Sequence, residues 1–111
     1  MKTGVELIAA ERERQVSQEG WTEEHDDDHG DGQMANAAAC YAMTQKIPSV
    51  VGIIPGTTRS PEQRVRMPKL WPWEAECWKP CPTDRVRELV KAGALIAAEI
   101  DRLQRAAPEK K

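Results

Sequence analysis

The distribution of proline constrains this chain more than any other feature of its sequence. Seven of the eight prolines lie between Lys46 and Pro82, and Gly52 and Gly56 fall in the same stretch. Proline removes a backbone donor and breaks the interior of a helix. Long helices are therefore excluded from the middle of the chain and belong on either side of it. With 111 residues, the chain has room for one domain and no more.

Three helical segments are predicted on the two sides of this proline-rich region. The first covers residues 4–18 and ends near Gly20, because glycine is a favoured residue just after a helix. The second, residues 31–44, is rich in alanine, the best helix former. The third, residues 83–105, begins with Thr83 or Asp84 as the capping residue. Its apolar residues recur at intervals of three and four, the period of an amphipathic helix. They are Val86, Leu89, Val90, Gly93, Ile96, Ala97, Ile100 and Leu103.

The sequence predicts secondary structure less clearly in the middle of the chain. Residues 46–70 are predicted to form an irregular or mobile segment, in which residues 50–54 suit either a short strand or an apolar loop. Residues 71–80 hold three of the four tryptophans, and the prolines between them favour an extended path. The predicted fold is therefore mainly α: a compact three-helix domain with a Trp/Pro-rich extended segment packed across the helices.

The composition of the chain indicates its cellular compartment and the classes of partner that it can bind. Charged residues make up 31% of the chain, the mean hydropathy is -0.66, and no apolar stretch approaches the roughly 20 residues that a membrane crossing needs. The N-terminus lacks the apolar core of a signal peptide, and three cysteines without such a signal suggest free thiols in a reducing cytoplasm. A net charge of -2 argues against a nucleic-acid partner, which needs a basic surface. We therefore expect a cytoplasmic protein with neither a membrane nor a sequence-specific nucleic-acid partner.

An acidic segment at residues 19–29 carries two histidines, His25 and His29, four residues apart. With Asp27 they form a candidate divalent-metal site, for which Cys77 and Cys81 are the available additional ligands. A calcium loop of the EF-hand type is excluded because Ala38 stands where the bidentate glutamate is required. The alternatives are a role in binding an organic ligand and a solvated acidic turn.

Tryptophans and arginines suggest a binding site for an organic anion. Indole rings stack on bases, although in a chain without phenylalanine they also suit the core. Arginine holds phosphate through paired hydrogen bonds, although its usual partner within a protein is a carboxylate. The candidate ligand-binding residues are Arg12, Arg14, Trp21, Glu24, His25, Asp26, Asp27, Trp71, Trp73, Trp78, Lys79 and Arg85.

Catalytic motifs do not stand out. The sequence contains no nucleophile elbow, phosphate-binding glycine loop or dinucleotide fingerprint. Nucleotide pyrophosphohydrolases of the all-α class need metal-binding glutamates on a helix like the second one, but Gln33 and Asn36 stand there instead. We therefore assign no catalytic residue and expect binding rather than catalysis.

Several motifs together cover most of the chain outside residues 46–69. They are ERERQ at 11–15, EGWTEEHDD at 19–27, AAACYA at 37–42, WPW at 71–73, WKP at 78–80 and RELVKAGALIAAEIDRL at 87–103. In combination they resemble a family of small tailed-phage and prophage proteins. Cys77 departs from that pattern, because a second tryptophan commonly precedes Trp78 in the family. A family-wide zinc site at Cys77 and Cys81 is therefore disfavoured.

The resemblance implies a cytoplasmic accessory protein of an infecting phage or a prophage, acting against host defence. Such proteins bind a host protein or sequester a nucleotide signal. We accordingly expect a non-enzymatic protein, without a cofactor, that binds a phosphorylated nucleotide-type molecule. The alternatives are a metal-dependent nucleotide pyrophosphohydrolase-like enzyme built on residues 24–27 and a module that binds a host factor. The alanine-rich helix also makes a homo-oligomer possible.

Overall fold

A computed structural model describes residues 1–43, 49–55 and 63–107. Its helices and strands are α1 (Gly4–Ser17), α2 (Glu23–Asp27), α3 (Gln33–Ala42), β1 (Ser49–Ile54), β2 (Gln63–Pro68) and α4 (Arg85–Ala106). The expectation of a mainly α fold is confirmed, but three helices were too few. The additional helix is α2, a short helix in the acidic segment, where the Thr22 hydroxyl accepts a hydrogen bond from the His25 backbone N–H.

The helices α1 and α3 both pack against α4 in antiparallel fashion. Ile8 of α1 contacts Gly93, and Glu11, one turn later, pairs with Arg87, one to two turns earlier. At the other side, the Arg85 guanidinium donates to the carbonyl oxygens at the end of α3, including that of Tyr41 at 3.0 Å. This arginine therefore satisfies the unpaired carbonyls of the α3 C-terminus.

Small side chains dominate the core between α3 and α4. The buried cluster consists of Met34, Ala37, Ala38, Cys40, Tyr41, Trp71, Ala92, Leu95 and Ala98. Alanines on both helices allow their backbones to approach closely. Trp71 and Trp78 pack on Tyr41, with ring centroids 5.6 Å and 4.8 Å from its own. The Trp/Pro-rich segment, which contains one 3-10 turn (Ala75–Cys77), therefore packs against the helices partly through its indole rings.

The apolar stripe of α4 lies largely outside this core. Leu89, Ile96 and Ile100 are 46%, 48% and 50% exposed, whereas Leu95 and the alanines at positions 92, 94 and 98 are buried. The predicted period is present, but the fold buries a neighbouring face of small residues, because the alanine-rich α3 packs closely only against another smooth surface.

The proline-rich middle of the chain contains an antiparallel strand pair. β1 pairs with β2 in a register that sets Ser49 opposite Pro68 and Gly52 opposite Val65. The strand alternative for residues 50–54 is therefore the one realised, and the irregular segment predicted for residues 46–70 is wrong where these strands lie. Residues 44–48, 56–62 and 108–111 fall outside the described residues, and with them part of that prediction and the predicted end of the second helix at residue 44. The described residues 55, 69 and 70 belong to no helix or strand, as predicted.

The buried position of Gly52 explains how the strand pair attaches to the rest of the fold. A Cβ atom at this position would lie only 2.5 Å from the Cβ of Ala75 and 3.1 Å from the Met67 sulfur. The strand therefore lies directly on the 3-10 turn at Ala75–Cys77. Among the described helices, none has both the length and the apolar character required to cross a membrane.

Candidate functional site

Two adjoining cavities lie where the acidic segment meets the tryptophan-rich segment. The larger, of about 590 Å³, is called the aromatic groove and is lined by Trp21, His25, His29, Pro72, Trp73, Glu74 and Cys77. The smaller, of about 330 Å³, is called the polar cavity and is lined by Glu11, Arg14, Gln15, Glu19, Trp21, Tyr41, Glu76, Cys77, Lys79, Lys91 and Leu95. Trp21 and Cys77 line both, so the two cavities adjoin.

A glycine turn positions Trp21 between the cavities. α1 ends before Gly20, whose φ of +74° belongs to the left-handed region that favours glycine. The Trp21 backbone N–H then donates to the Gln15 carbonyl at 3.0 Å, and Thr22 caps α2. This tight turn brings the indole back towards α1 while directing the chain into α2.

Four rings form the wall of the aromatic groove. The Trp21 and His25 rings are parallel to within 2°, with centroids 5.6 Å apart. Trp73 meets Trp21 edge-on at 6.0 Å and His29 edge-on at 5.4 Å. The His25 and His29 centroids are 4.5 Å apart. Flat faces and edges of this kind are the usual surfaces for stacking a planar ligand.

Hydrogen bonds fix the tautomers of the two histidines. The His29 Nδ1 atom lies 2.7 Å from the His25 carbonyl oxygen, which can only accept, so Nδ1 donates. The His25 Nδ1 atom lies 3.1 Å from the Asp26 carboxylate and also donates. In each neutral ring Nε2 is then an acceptor, and neither Nε2 bonds to another described residue. The groove therefore offers two acceptors to a ligand that carries N–H or O–H donors.

Glu11 and Gln15 contribute buried polar groups to the polar cavity. Each is only 2% exposed. The Glu11 carboxylate accepts two hydrogen bonds from Arg14 at 2.9 Å and pairs with Arg87 at 2.7 Å. Burial alone would raise the pKa of Glu11, but Arg14 and Arg87 outweigh it and lower the pKa. Gln15 donates its Nε2 to this carboxylate, while its buried Oε1 has no partner among the described residues.

The cations of the polar cavity differ in how fully they are engaged. Arg14 is bound to Glu11 and also to Glu19 at 3.1 Å. Lys91 lies with its Nζ 5.4 Å from the centre of the Tyr41 ring and donates to the Lys79 carbonyl at 2.8 Å. Within the described ranges, the Lys79 and Lys91 ammonium groups form no ion pair. These two groups are therefore the ones available to an anion.

Of the twelve predicted ligand-binding residues, five line these cavities: Arg14, Trp21, His25, Trp73 and Lys79. The other arginines have structural partners, since Arg12 pairs with Asp26 at 3.0 Å and Arg85 caps α3.

The remaining predicted residues are also placed away from the cavity walls. Asp27 pairs with Arg105 at 2.9 Å, and Glu24 is exposed to solvent. Trp71 belongs to the core, and Trp78 packs against it. Trp21 and Trp73 thus line the groove and also pack against the core, whereas Trp71 and Trp78 line neither cavity.

Sequence reasoning missed several lining residues, notably Glu11, Gln15 and Tyr41. They share a surface with Lys91 that α1, α3 and α4 form together, and no local spacing predicts that association. The burial of Gln15 could have been suspected only from its position one helical turn after Glu11 on the same face of α1.

The candidate divalent-metal site is not assembled among the described residues. In residues 1–43, 49–55 and 63–107, no group of three or more His, Cys, Asp or Glu side chains is placed to hold an ion. Cys77 lines the same groove as His25 and His29, but Asp27 is engaged by Arg105. Cys40, Cys77 and Cys81 all carry free thiols.

Comparison with known proteins yields no relative: no protein-family model, curated protein or solved structure matches this chain.

Proposed function

We propose that this protein binds a phosphorylated nucleotide-type molecule without transforming it. The observation that carries the proposal is the shared wall of the two cavities, since Trp21 and Cys77 line both. A planar ring and an attached anionic group can therefore occupy neighbouring spaces. Both volumes fall within or near the range of small-molecule sites, roughly 300–1,000 Å³.

The aromatic groove suits the base. Trp21 and Trp73 supply indole faces and edges, and stacking of a base on such a ring contributes about 1–3 kcal/mol. The Nε2 acceptors of His25 and His29 favour a base that carries an exocyclic amino group. A base without N–H donors could not form hydrogen bonds to these two Nε2 atoms.

The polar cavity suits the phosphate through the ammonium groups of Lys79 and Lys91, which no described carboxylate neutralises. Arg14 is less available, because Glu11 and Glu19 already bind it. Glu76 also lines this cavity and opposes an anion. Replacing Glu76 with glutamine should therefore tighten the binding of a phosphorylated ligand.

The biological setting of the proposal comes from the sequence resemblance alone. An accessory protein of a phage or prophage that sequesters a nucleotide signal would need a pocket but no catalytic group. We accordingly propose that the protein binds a host nucleotide and needs no cofactor.

Isothermal titration calorimetry with ATP, AMP and adenosine tests this proposal. Trp73→Leu should weaken ATP binding about 5- to 150-fold, because the loss of one stacking face costs about 1–3 kcal/mol. The matched control is Leu70→Ala, which alters an exposed apolar side chain outside both cavities. Lys79→Ala should narrow the difference in affinity between ATP and adenosine.

Two results would contradict the proposal. One is the absence of binding heat with all three probes and with their guanine counterparts. The other is binding that Trp73→Leu leaves unchanged while circular dichroism shows a folded variant. If the protein hydrolyses ATP and EDTA abolishes this activity, the metal-dependent enzyme becomes the better hypothesis than a binding protein.

A further inference from the structure

One apolar face of α4 stays largely exposed in the fold, apart from Gly93, which packs against Ile8 of α1. Its members, called the α4 stripe, are Val86, Leu89, Gly93, Ile96, Ile100 and Leu103. Apart from the glycine, each side chain is between 46% and 60% exposed. None of the six lines the aromatic groove or the polar cavity. The stripe is therefore independent of the proposed ligand site.

The spacing of the stripe is that of a helix-pairing surface. Its intervals alternate between three and four residues, as in the heptad pattern of a coiled coil. Apolar residues at this period keep one seam facing a partner helix as the two supercoil. No charged residue interrupts the stripe, although 31% of the chain is charged. Within the described chain, Gly93 contacts Ile8 of α1, while the large apolar residues of the stripe stay about half exposed.

α1 widens this face at its centre. A Cβ atom at position 93 would lie 2.5 Å from the Cδ1 atom of Ile8. The Ile8 side chain therefore occupies the space that a side chain at position 93 would take. Val5, nearly one turn earlier on α1, is 79% exposed. The face therefore runs through Ile8 without a gap at Gly93.

We infer that the α4 stripe binds the α4 stripe of a second copy of this chain, in an antiparallel pair about a two-fold axis. The positions are symmetric about a point midway between Gly93 and Ile96. Leu89 then faces Ile100 of the second copy, and Val86 faces its Leu103. Because a two-fold pair uses the same patch on both partners, this symmetry of large apolar residues favours a second copy as the occupant. Neither copy presents a charge to the other along the seam.

The length of the α4 stripe indicates how strong the dimer can be. The stripe spans residues 86–103, about 27 Å at 1.5 Å per residue. A contact of that length and one helix width buries on the order of 400 Å² per copy, compared with about 800 Å² per partner in a standard interface. The dimer should therefore be weak and be populated only at high protein concentration.

Sedimentation velocity of the full chain over a concentration series tests the inference. The wild-type protein should shift from monomer to dimer with increasing concentration. Leu89→Lys and Ile100→Glu should each keep the chain monomeric, because each puts a charge into the apolar seam. The matched control is Val51→Lys, which changes an equally exposed apolar residue on β1 and should leave the dimer intact.

A mixture of the two variants determines the orientation. In an antiparallel pair, the lysine introduced in one variant would face the glutamate introduced in the other, so mixing L89K with I100E should restore a dimer. Circular dichroism of each variant alone would establish that it is folded. A chain that stays monomeric at all concentrations overturns the inference, as does a dimer that persists in both single variants. Failure of the mixture to restore the dimer overturns the antiparallel register.

Discussion

Asp26 shows how the acidic segment is held at the level of single residues. It is fully buried, and its carboxylate is bound by Arg12 at 3.0 Å and by His25 at 3.1 Å. Removing one partner of a buried pair leaves the other charge uncompensated. Asp26→Ala should therefore lower the free energy of unfolding by about 3–5 kcal/mol in urea denaturation. Glu24→Ala, which removes an exposed carboxylate from the same helix, should change it little, and equal effects would contradict this role for Asp26.

Tyr41 provides a direct report of core burial, because it is the only tyrosine in the chain. Burial raises its pKa to about 12, although the Lys79 backbone N–H donates to its hydroxyl at 3.3 Å and opposes the shift. An unfolded tyrosine has a pKa of about 10. The neutral phenol therefore contributes stability that is fully present below pH 10 and is lost as the pH rises from about 10 to 12.

Absorbance at 295 nm against pH should show this single ionisation near pH 12 in the folded protein. The same titration in urea should return it to about pH 10. A folded-state midpoint at about pH 10 would show that the ring is not packed against Trp71 and Trp78 as the structure has it.

The elements of the fold differ in how far local sequence determines them. Capping residues, alanine content and periodicity located α1, α3 and α4 to within two residues at each described end, since those signals act over one or two turns. The short α2 was missed because a five-residue helix has too few turns to show a period. The cavities could not be predicted, because Gln15 and Lys91 meet only through the packing of α1 on α4.

The strand pair depends on one close contact, that of Gly52 with Ala75. An added methyl group would lie 2.5 Å from the Ala75 Cβ, which has no freedom to move aside. Gly52→Ala should therefore lower the free energy of unfolding by about 1–3 kcal/mol, as overpacking typically does. The control is Gly4→Ala at the start of α1, where no atom lies within 4 Å of the added group. A variant at position 52 as stable as the control would contradict the packing of β1 on the 3-10 turn.

At the scale of the whole molecule, the central claim is that the aromatic groove and the polar cavity bind one ligand. Cys77 lines both cavities and is exposed, whereas Cys81 lines neither. Partial burial and the charges of Glu76 and Glu74 raise the pKa of the Cys77 thiol, so its alkylation is slow enough to follow. The chain thus contains a reporter in the site and a control outside it.

The most direct test is therefore the rate of alkylation of Cys77 and Cys81 by iodoacetamide, followed by mass spectrometry with and without saturating ATP or GTP. At least one of these nucleotides should slow the modification of Cys77 about tenfold or more and leave that of Cys81 unchanged. Equal rates at Cys77 with and without both nucleotides would contradict the claim that the two cavities form a nucleotide site.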